Sequence, residues 1–559
     1  KTSITTIGNV KQLAEDGKGH VIALNSSGSF TIFYQGLIKG TGNSTEGIAS
    51  CVRFGPEDKL YVGSDKERID VYDLKEGKLT LDRTIPLSGF MTINDIYFGD
   101  DGYAFVASDT GVGYFDAEGK IVRINTGSFD NSVDSIFRDY QGNLWFTSSR
   151  RGLLELSVSS FTDLFSLCNA ESDVGNTVFP WQDLLYVGTD NGLVILDVKN
   201  HTYVENEATE GMKGMRIRSF AEDEEGNLLA ATFSRGLMKI GKDGKVTNYL
   251  QPGEAGMKTR FVTKGPSGSI VAADEKALMF LEKGEIKSSI ALDSSFTAAA
   301  ILNVLELSDG TMLAGTDGEG IVILKDMKPS GYITKKDGLF SDVILRMVKD
   351  EKGEGIFVLT GSGVCYMDAD YKVSRLPGVP YFNNYDLWQS GDNLFFLSGA
   401  GIYVLEYKNV FDERGKELFN LLDVKSGLYG DITSNSWNHT DDGDILYICT
   451  NSGLYSIDMN HYEAEVKDFK AKITMVRFDG VSKDITDDSP IRIPQGVKKV
   501  DILLELANFT SKIPGISYRM EGEESAMVSI KDGDLGWITY NNLTHGEHRF
   551  EVEISNREQ

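Results

Sequence analysis

The side chains that could carry chemistry in this 559-residue chain are few and scattered. Six histidines, His20, His201, His439, His461, His545 and His548, show no metal-ligand spacing that convinces. His545 and His548 stand three apart in NNLTHGEHRF, which on a helix would suggest a zinc pair. The local pattern is turn then strand, so a solvated hairpin is the favoured reading. Cys51, Cys168, Cys365 and Cys449 form no C-x-x-C pair. Cys365 and Cys449 fall at apolar strand positions and read as buried free thiols. The turns GTDNG (188–192) and GTDGEG (315–320) could offer calcium Asp190, Asp317 and Glu319. An EF-type loop needs more oxygens at fixed spacing, so these acids read as turn formers. No G-x-S-x-G elbow, H-E-x-x-H, glycine-rich phosphate loop or S-x-D-x-G-x-T-W box occurs. No catalytic residue, metal or cofactor is therefore assigned.

Binding chemistry is better supplied. Arg150, Arg151 and Arg235, with Asp190, Asn191, Asp317, Glu319 and Asn451, follow the Thr or Ser that ends a second apolar run. Tyr381, Phe382, Asn383, Asn384, Tyr385, Asn435 and Trp437 precede first apolar runs. Aromatics beside Asn, Asp and Arg stack on and hydrogen-bond a sugar or similar polar ligand. Two or three guanidiniums in an acidic chain would also make a positive spot, suited to a carboxylate or sulfate. The candidate site is therefore Arg150, Arg151, Arg235, Tyr381, Tyr385 and Trp437. The bland alternative is that these arginines pair with acids of adjacent loops, worth little at an exposed surface.

The elements that must position these residues are a repeat. In 133–156, VDSIFRDYQGNLWFTSSRRGLLEL, three short apolar runs are separated by an Asp-Tyr-Gln-Gly turn and a Ser-to-Gly turn. Short aromatic and branched runs punctuated by Asp and Gly predict antiparallel hairpins. Gly142-Asn143-Leu144-Trp145 is echoed by Gly226-Asn227-Leu228-Leu229, and Gly152-Leu153 by Gly192-Leu193, Gly236-Leu237 and Gly453-Leu454. Eleven copies run between Val10 and Tyr462, with Gly111, Gly152, Gly192 and Gly236 spaced by 41, 40 and 44 residues. A period near forty with three or four strands per unit predicts propeller blades. In such a blade the two loop classes named above emerge on one face. The equivalents of Trp145 (Tyr61, Phe105, Tyr186, Leu229, Leu313, Phe357, Phe395 and Leu446) predict its burial between neighbouring blades. Four repeats fill 1–165, and seven more fill 166–468, expected to close as a seven-bladed propeller. After Tyr462 the strands alternate without the blade motif, and 469–559 reads as an immunoglobulin-like β-sandwich. The expected class is all-β.

The formal charge of −27 argues against nucleic acid or an anionic membrane surface as partner. No run of about eighteen apolar residues occurs that would read as membrane-spanning.

The combination resembles the two-component regulator propeller family. Its repeat, an apolar strand, a D-x-x-G turn, then L-W-x-x-T and G-L, is matched by Asp139, Gly142, Leu144, Trp145, Gly152 and Leu153. Its terminal domain closes on a Tyr-x-x-Leu turn, matched by Tyr540-Asn541-Asn542-Leu543 with Gly546 and Phe550, and by Tyr518 with Glu521-Gly522 upstream. The resemblance implies a non-enzymatic, ligand-binding sensor region on the extracellular or periplasmic face of a bacterial membrane. A membrane helix and a histidine kinase or diguanylate cyclase would follow it. The expected partners are a small molecule or oligosaccharide, and a second copy of the chain through the C-terminal domain. A propeller enzyme acting on polysaccharide and a protein-interaction scaffold are the alternatives. The family often has fourteen repeats in two rings of seven, so eleven points to three blades upstream of Lys1.

Overall fold

The computed structural model describes residues 8–555 except 100–101, 117–118, 128, 158, 251–257, 294–298, 381–382, 442–443, 463–468, 486–489, 510–514, 525 and 531–535. Among the described residues the strands make thirteen antiparallel sheets, eleven of them built from the repeat. One blade shows how the repeat writes its own geometry. Ile217–Glu222, Leu228–Thr232, Gly236–Ile240 and Val246–Asn248 form a four-stranded meander. In its first turn the Asp223 carboxylate accepts the amides of Glu225 and Asn227, with Gly226 at φ +78°. In its second, the buried Thr232 hydroxyl donates to the Gly236 carbonyl at 2.8 Å and accepts the Arg235 amide. The same hydroxyl-to-glycine bond recurs at Ser108, Thr189, Thr316, Thr360, Ser398 and Thr450. In these seven repeats the Thr or Ser is thus a buried donor that needs its carbonyl partner.

Two compact units result. The second contains residues 159–465 and seven of these sheets. Six are local meanders; the seventh joins His439–Asp441, Ile445–Thr450 and Gly453–Asp458 to the distant strand Phe161–Asp163. Seven apolar cores lie between consecutive sheets. The seventh core packs Cys449 and Leu454 of the last sheet against Val178, Leu185 and Val187 of the first. Seven sheets joined by seven cores are a closed seven-bladed propeller, which leaves no open end to the stack. The closing strand Phe161–Asp163 lies ahead of residue 166, where the repeat pattern begins the ring. Three residues are too short to show a period, and their pairing is non-local.

The first unit contains residues 1–158, 466–510 and 532–547. Its four repeat sheets share three cores, and none of these cores joins the fourth sheet to the first. This is a partial propeller. Its fourth sheet has three strands, Ser135–Arg138, Leu144–Ser148 and Gly152–Leu156. Trp145 is therefore not buried between blades. It is half-buried, its ring edge-on to Phe509 at 5.5 Å and its Nε1 donating to Asp139 at 2.9 Å. Phe509 follows the strand Lys499–Ala507 of a four-stranded sheet that also holds Lys470–Phe478, Val481–Asp484 and Trp537–Asn541. The contact is tied at several points. Tyr140 donates to the Ala507 carbonyl, Asn143 Nδ2 donates to the Phe509 carbonyl at 2.9 Å, and Lys470 lies over the Tyr140 ring. Tyr540 is buried in this sheet and pairs with Val500. The remaining C-terminal strands, Gly515–Met520, Val528–Ile530 and Phe550–Ser555, form a three-stranded sheet assigned to the second unit.

Candidate functional site at the mouth of the ring

The ring's innermost strands begin where the loops named above gather, and one of those loops crosses its centre. Residues 433–438 lead into the innermost strand of the last blade. Trp437 donates its amide to the Asn176 carbonyl at 2.9 Å and accepts the Val178 amide at 3.0 Å, a parallel bridge to the first blade. Arg218 of the second blade donates to the Asn435 carbonyl at 3.4 Å. Phe261 of the third lies 5.8 Å from the Trp437 ring. Arg346 of the fifth stacks 4.2 Å over that ring and donates to the Ser436 carbonyl. Asp386 of the sixth accepts from Asn438 Nδ2 at 3.0 Å. Bonds to so many blades from one short loop place it over the channel. Asn438 also accepts the Cys449 amide, and Ser436 Oγ donates to the Thr433 carbonyl, so the loop is braced from within.

Arg346 and Asp386 are both nearly buried, at 9% and 7% side-chain exposure, and lie 3.3 Å apart. The Arg346 Nε makes no hydrogen bond, so the contact is an ion pair. Away from that pair the mouth turns cationic. Arg216 forms an ion pair with Asp190 at 2.8 Å, and Asn176 Nδ2 donates to the same carboxylate. Arg218 donates to Asn176 Oδ1 at 3.0 Å. The guanidiniums of Arg216 and Arg218 lie 5.8 and 5.7 Å from the Phe233 ring. Burial first, then the neighbouring charge of Arg216, push Arg218 down to about 10 against the pull of Asp190, with Arg260 adding a smaller push. It remains a cation at neutral pH whose charge is poorly compensated.

The candidate residues read from the sequence fare unequally. Trp437 is at the centre, with one ring face already covered by Arg346. Arg235 is exposed in the turn that carries Phe233. Tyr385 is half-buried against the core between the sixth and seventh blades, its hydroxyl side close to Gly399. Arg150 and Arg151 are exposed in the second turn of the first unit's fourth sheet, not on the ring that carries Arg235. Their amides donate to Ser148 Oγ. Tyr381 lies outside the described residues. Asp190 is engaged by Arg216 and Asn176. All four cysteines are free and buried, and burial pushes Cys51 up to about 12.

The sequence reading missed Arg216, Arg218 and Arg260. A signal was present: Arg218 and Arg260 each stand five residues before the first turn of consecutive blades, at Asp223 and Gly265, and just before the equivalent strand residues Ser219 and Phe261. Aligning the blades on those turns would have shown it.

Comparison with known proteins bears on the repeat and the fold. Residues 127–150, which hold Asp139, Gly142 and Trp145, match the family described as two component regulator propeller. No curated protein matches the chain. Among solved structures, the chain is similar to the extracellular domain of the hybrid two component system BT3049 from B. thetaiotaomicron. The TM-score is 0.71 at 16% identity, over 98% of this chain and 76% of that one. It also aligns with the extracellular domain of the one component system BT4673 from the same organism, at TM-score 0.46 and 13% identity, over 100% and 86%. At such identities the first of these shows the fold. One stretch of this chain, residues 127–150, thus carries the two component regulator propeller repeat, and the chain shares its fold with that extracellular domain.

Proposed function

We propose that this chain is the extracytoplasmic, ligand-binding region of a membrane signalling protein of histidine kinase or diguanylate cyclase type, lying on the extracellular or periplasmic side of a bacterial membrane. The ligand is a carbohydrate or other small polar molecule, received at the mouth of the seven-bladed ring. The observation that carries this is the loop 433–438, which sets Trp437, amide groups and guanidiniums over the channel of a fold shared with an extracellular sensor domain. Aromatic and polar groups converging on a concavity are what a saccharide site needs. Arg235 and Tyr385 flank this reading as candidate contacts. No covalent or acid–base chemistry is proposed, because the acids at the mouth already serve Arg216, Arg346 and Asn438.

The same reading treats 1–165, 166–468 and 469–559 as partial propeller, ring and immunoglobulin-like terminal domain, with the strand Phe161–Asp163 counted to the ring. The last of these would promote pairing of two chains so that both respond together. The test is a thermal-shift screen of neutral and acidic oligosaccharides against the whole chain. At least one should raise the melting temperature, and Trp437→Ala should weaken it. A panel in which no saccharide shifts melting would favour a protein-interaction scaffold instead.

A further inference from the structure

We infer that Arg216, Arg218 and Arg260 together form a receptor for one oxyanion, the carboxylate of a uronic acid or a sulfate carried by the ligand. This rests on the ligand-sensing reading above and names the chemistry of its ligand. Among the described residues, these three cations make one ion pair, that of Arg216 with Asp190. Asp190 is held by Arg216 at 2.8 Å and by Asn176. Arg218 has only neutral acceptors, Asn176 Oδ1 at 3.0 Å and the Asn435 carbonyl at 3.4 Å. Among the described residues, Arg260 makes no ion pair, yet it stands near enough to Arg218 to disfavour its charge.

Geometry supports the same conclusion. Arg218 and Arg260 occupy the same place on neighbouring blades, each directly before the residue (Ser219, Phe261) that pairs with the equivalent alanine of the second strand (Ala231, Ala273), and Arg216 lies two residues before Arg218. Phe233 lies within 5.8 Å of both the Arg216 and the Arg218 guanidinium, so two planar forks that suit oxyanions share one aromatic neighbour. Beside Arg260, the Thr259 hydroxyl is buried and without a hydrogen-bond partner. A half-buried guanidinium with only neutral acceptors is stabilised when an anion arrives, because part of its lost hydration is then replaced by an ionic hydrogen bond. In a chain of formal charge −27, such a spot distinguishes itself from the rest of the surface by sign.

The probes are sodium glucuronate, sodium sulfate and glucose, titrated into the whole chain at constant ionic strength with chloride as balance, by calorimetry and thermal shift. Glucuronate and sulfate should bind and glucose should not. Arg260→Ala and Arg218→Gln should each weaken the anions about ten-fold or more, the scale of one charge-assisted hydrogen bond. Arg260→Lys should weaken them less. Arg260 has no ionic partner to lose, so Arg260→Ala should melt like the parent without ligand, which keeps the test independent of folding. Anion affinity unchanged in both variants, or absent in the parent, overturns the inference. A neutral oligosaccharide that binds parent and variants alike overturns it while leaving the ligand-sensing reading standing. Anions that bind through these arginines while no saccharide of any kind binds would support the receptor and remove the carbohydrate reading.

Discussion

Asp386→Asn tests whether the loop over the channel is held by charge. Arg346 is buried with Asp386 as its ionic partner at 3.3 Å, and it also stacks on Trp437 and donates to Ser436. Asp386 in turn accepts from Asn438 and from the Leu387 amide. The amide replacement keeps shape and an acceptor but leaves a guanidinium buried without a counter-charge, which costs about 3–5 kcal/mol when one partner of such a pair is removed. For a unit of this size about 2 °C of melting accompanies each kcal/mol, so the ring's transition should fall by about 6–10 °C. The matched double change, Arg346→Met with Asp386→Leu, removes both charges together. It should cost less than the sum of the single changes by about 2–3 kcal/mol, the coupling expected of residues in contact. Differential scanning calorimetry of parent, singles and double closes the cycle. If the single changes are each mild and add within about 0.5 kcal/mol, the pair does not hold the loop, and the stacking and backbone bonds must be doing so.

Two further outcomes concern the first unit. Trp145→Ala removes an edge-on contact with Phe509 and a bond to the Asp139 carboxylate, so it should cost about 2–3 kcal/mol; Phe509→Ala should be non-additive with it. A Trp145→Ala chain melting like the parent would refute the packing role. Asp70 is fully buried; burial alone would raise its carboxyl, but bonds from Thr45, Arg68 and Thr84 outweigh it and hold it at about 2 against an ordinary 3.8. Its folded value is depressed, so its contribution is present above about pH 4 and is lost as pH falls toward 2. The difference is worth about 2 kcal/mol, and Asp70→Asn should flatten the stability of this unit over that window. A parent and variant with parallel acid-denaturation profiles would show that these bonds do not discriminate the charged form.

How much of the fold can be read along the chain depends on where its constraints are local. The D-x-x-G turn and the Thr or Ser that donates to a glycine carbonyl are closed within a few residues, so most blades carry a local signature, and eleven repeats could be counted. The fourth sheet of the first unit is the instructive exception. Its sequence is the strongest copy of the repeat, yet Trp145 packs on Phe509, which lies 366 residues along the chain from Asn143, its hydrogen-bonded neighbour. Nothing near Trp145 could have named that partner. The strand Phe161–Asp163 was hidden for the same reason, because closing a ring requires pairing its beginning with its end.

The candidate site sits at the extreme of this scale. Trp437 was legible as an aromatic among polar residues, but its surroundings come from other blades. Arg346 therefore covers a ring face that the sequence alone would leave open. The arginines escaped notice because each, alone, looks like an exposed residue at the start of a strand. Only ring geometry brings Arg216, Arg218 and Arg260 into one field, and only there does a single ion pair among three guanidiniums acquire meaning. The acidic surface elsewhere on the chain sharpens that contrast. A ligand carrying an oxyanion would be repelled by most of this molecule and attracted at its channel mouth, so the same charge that keeps the chain soluble also works against wrong placement.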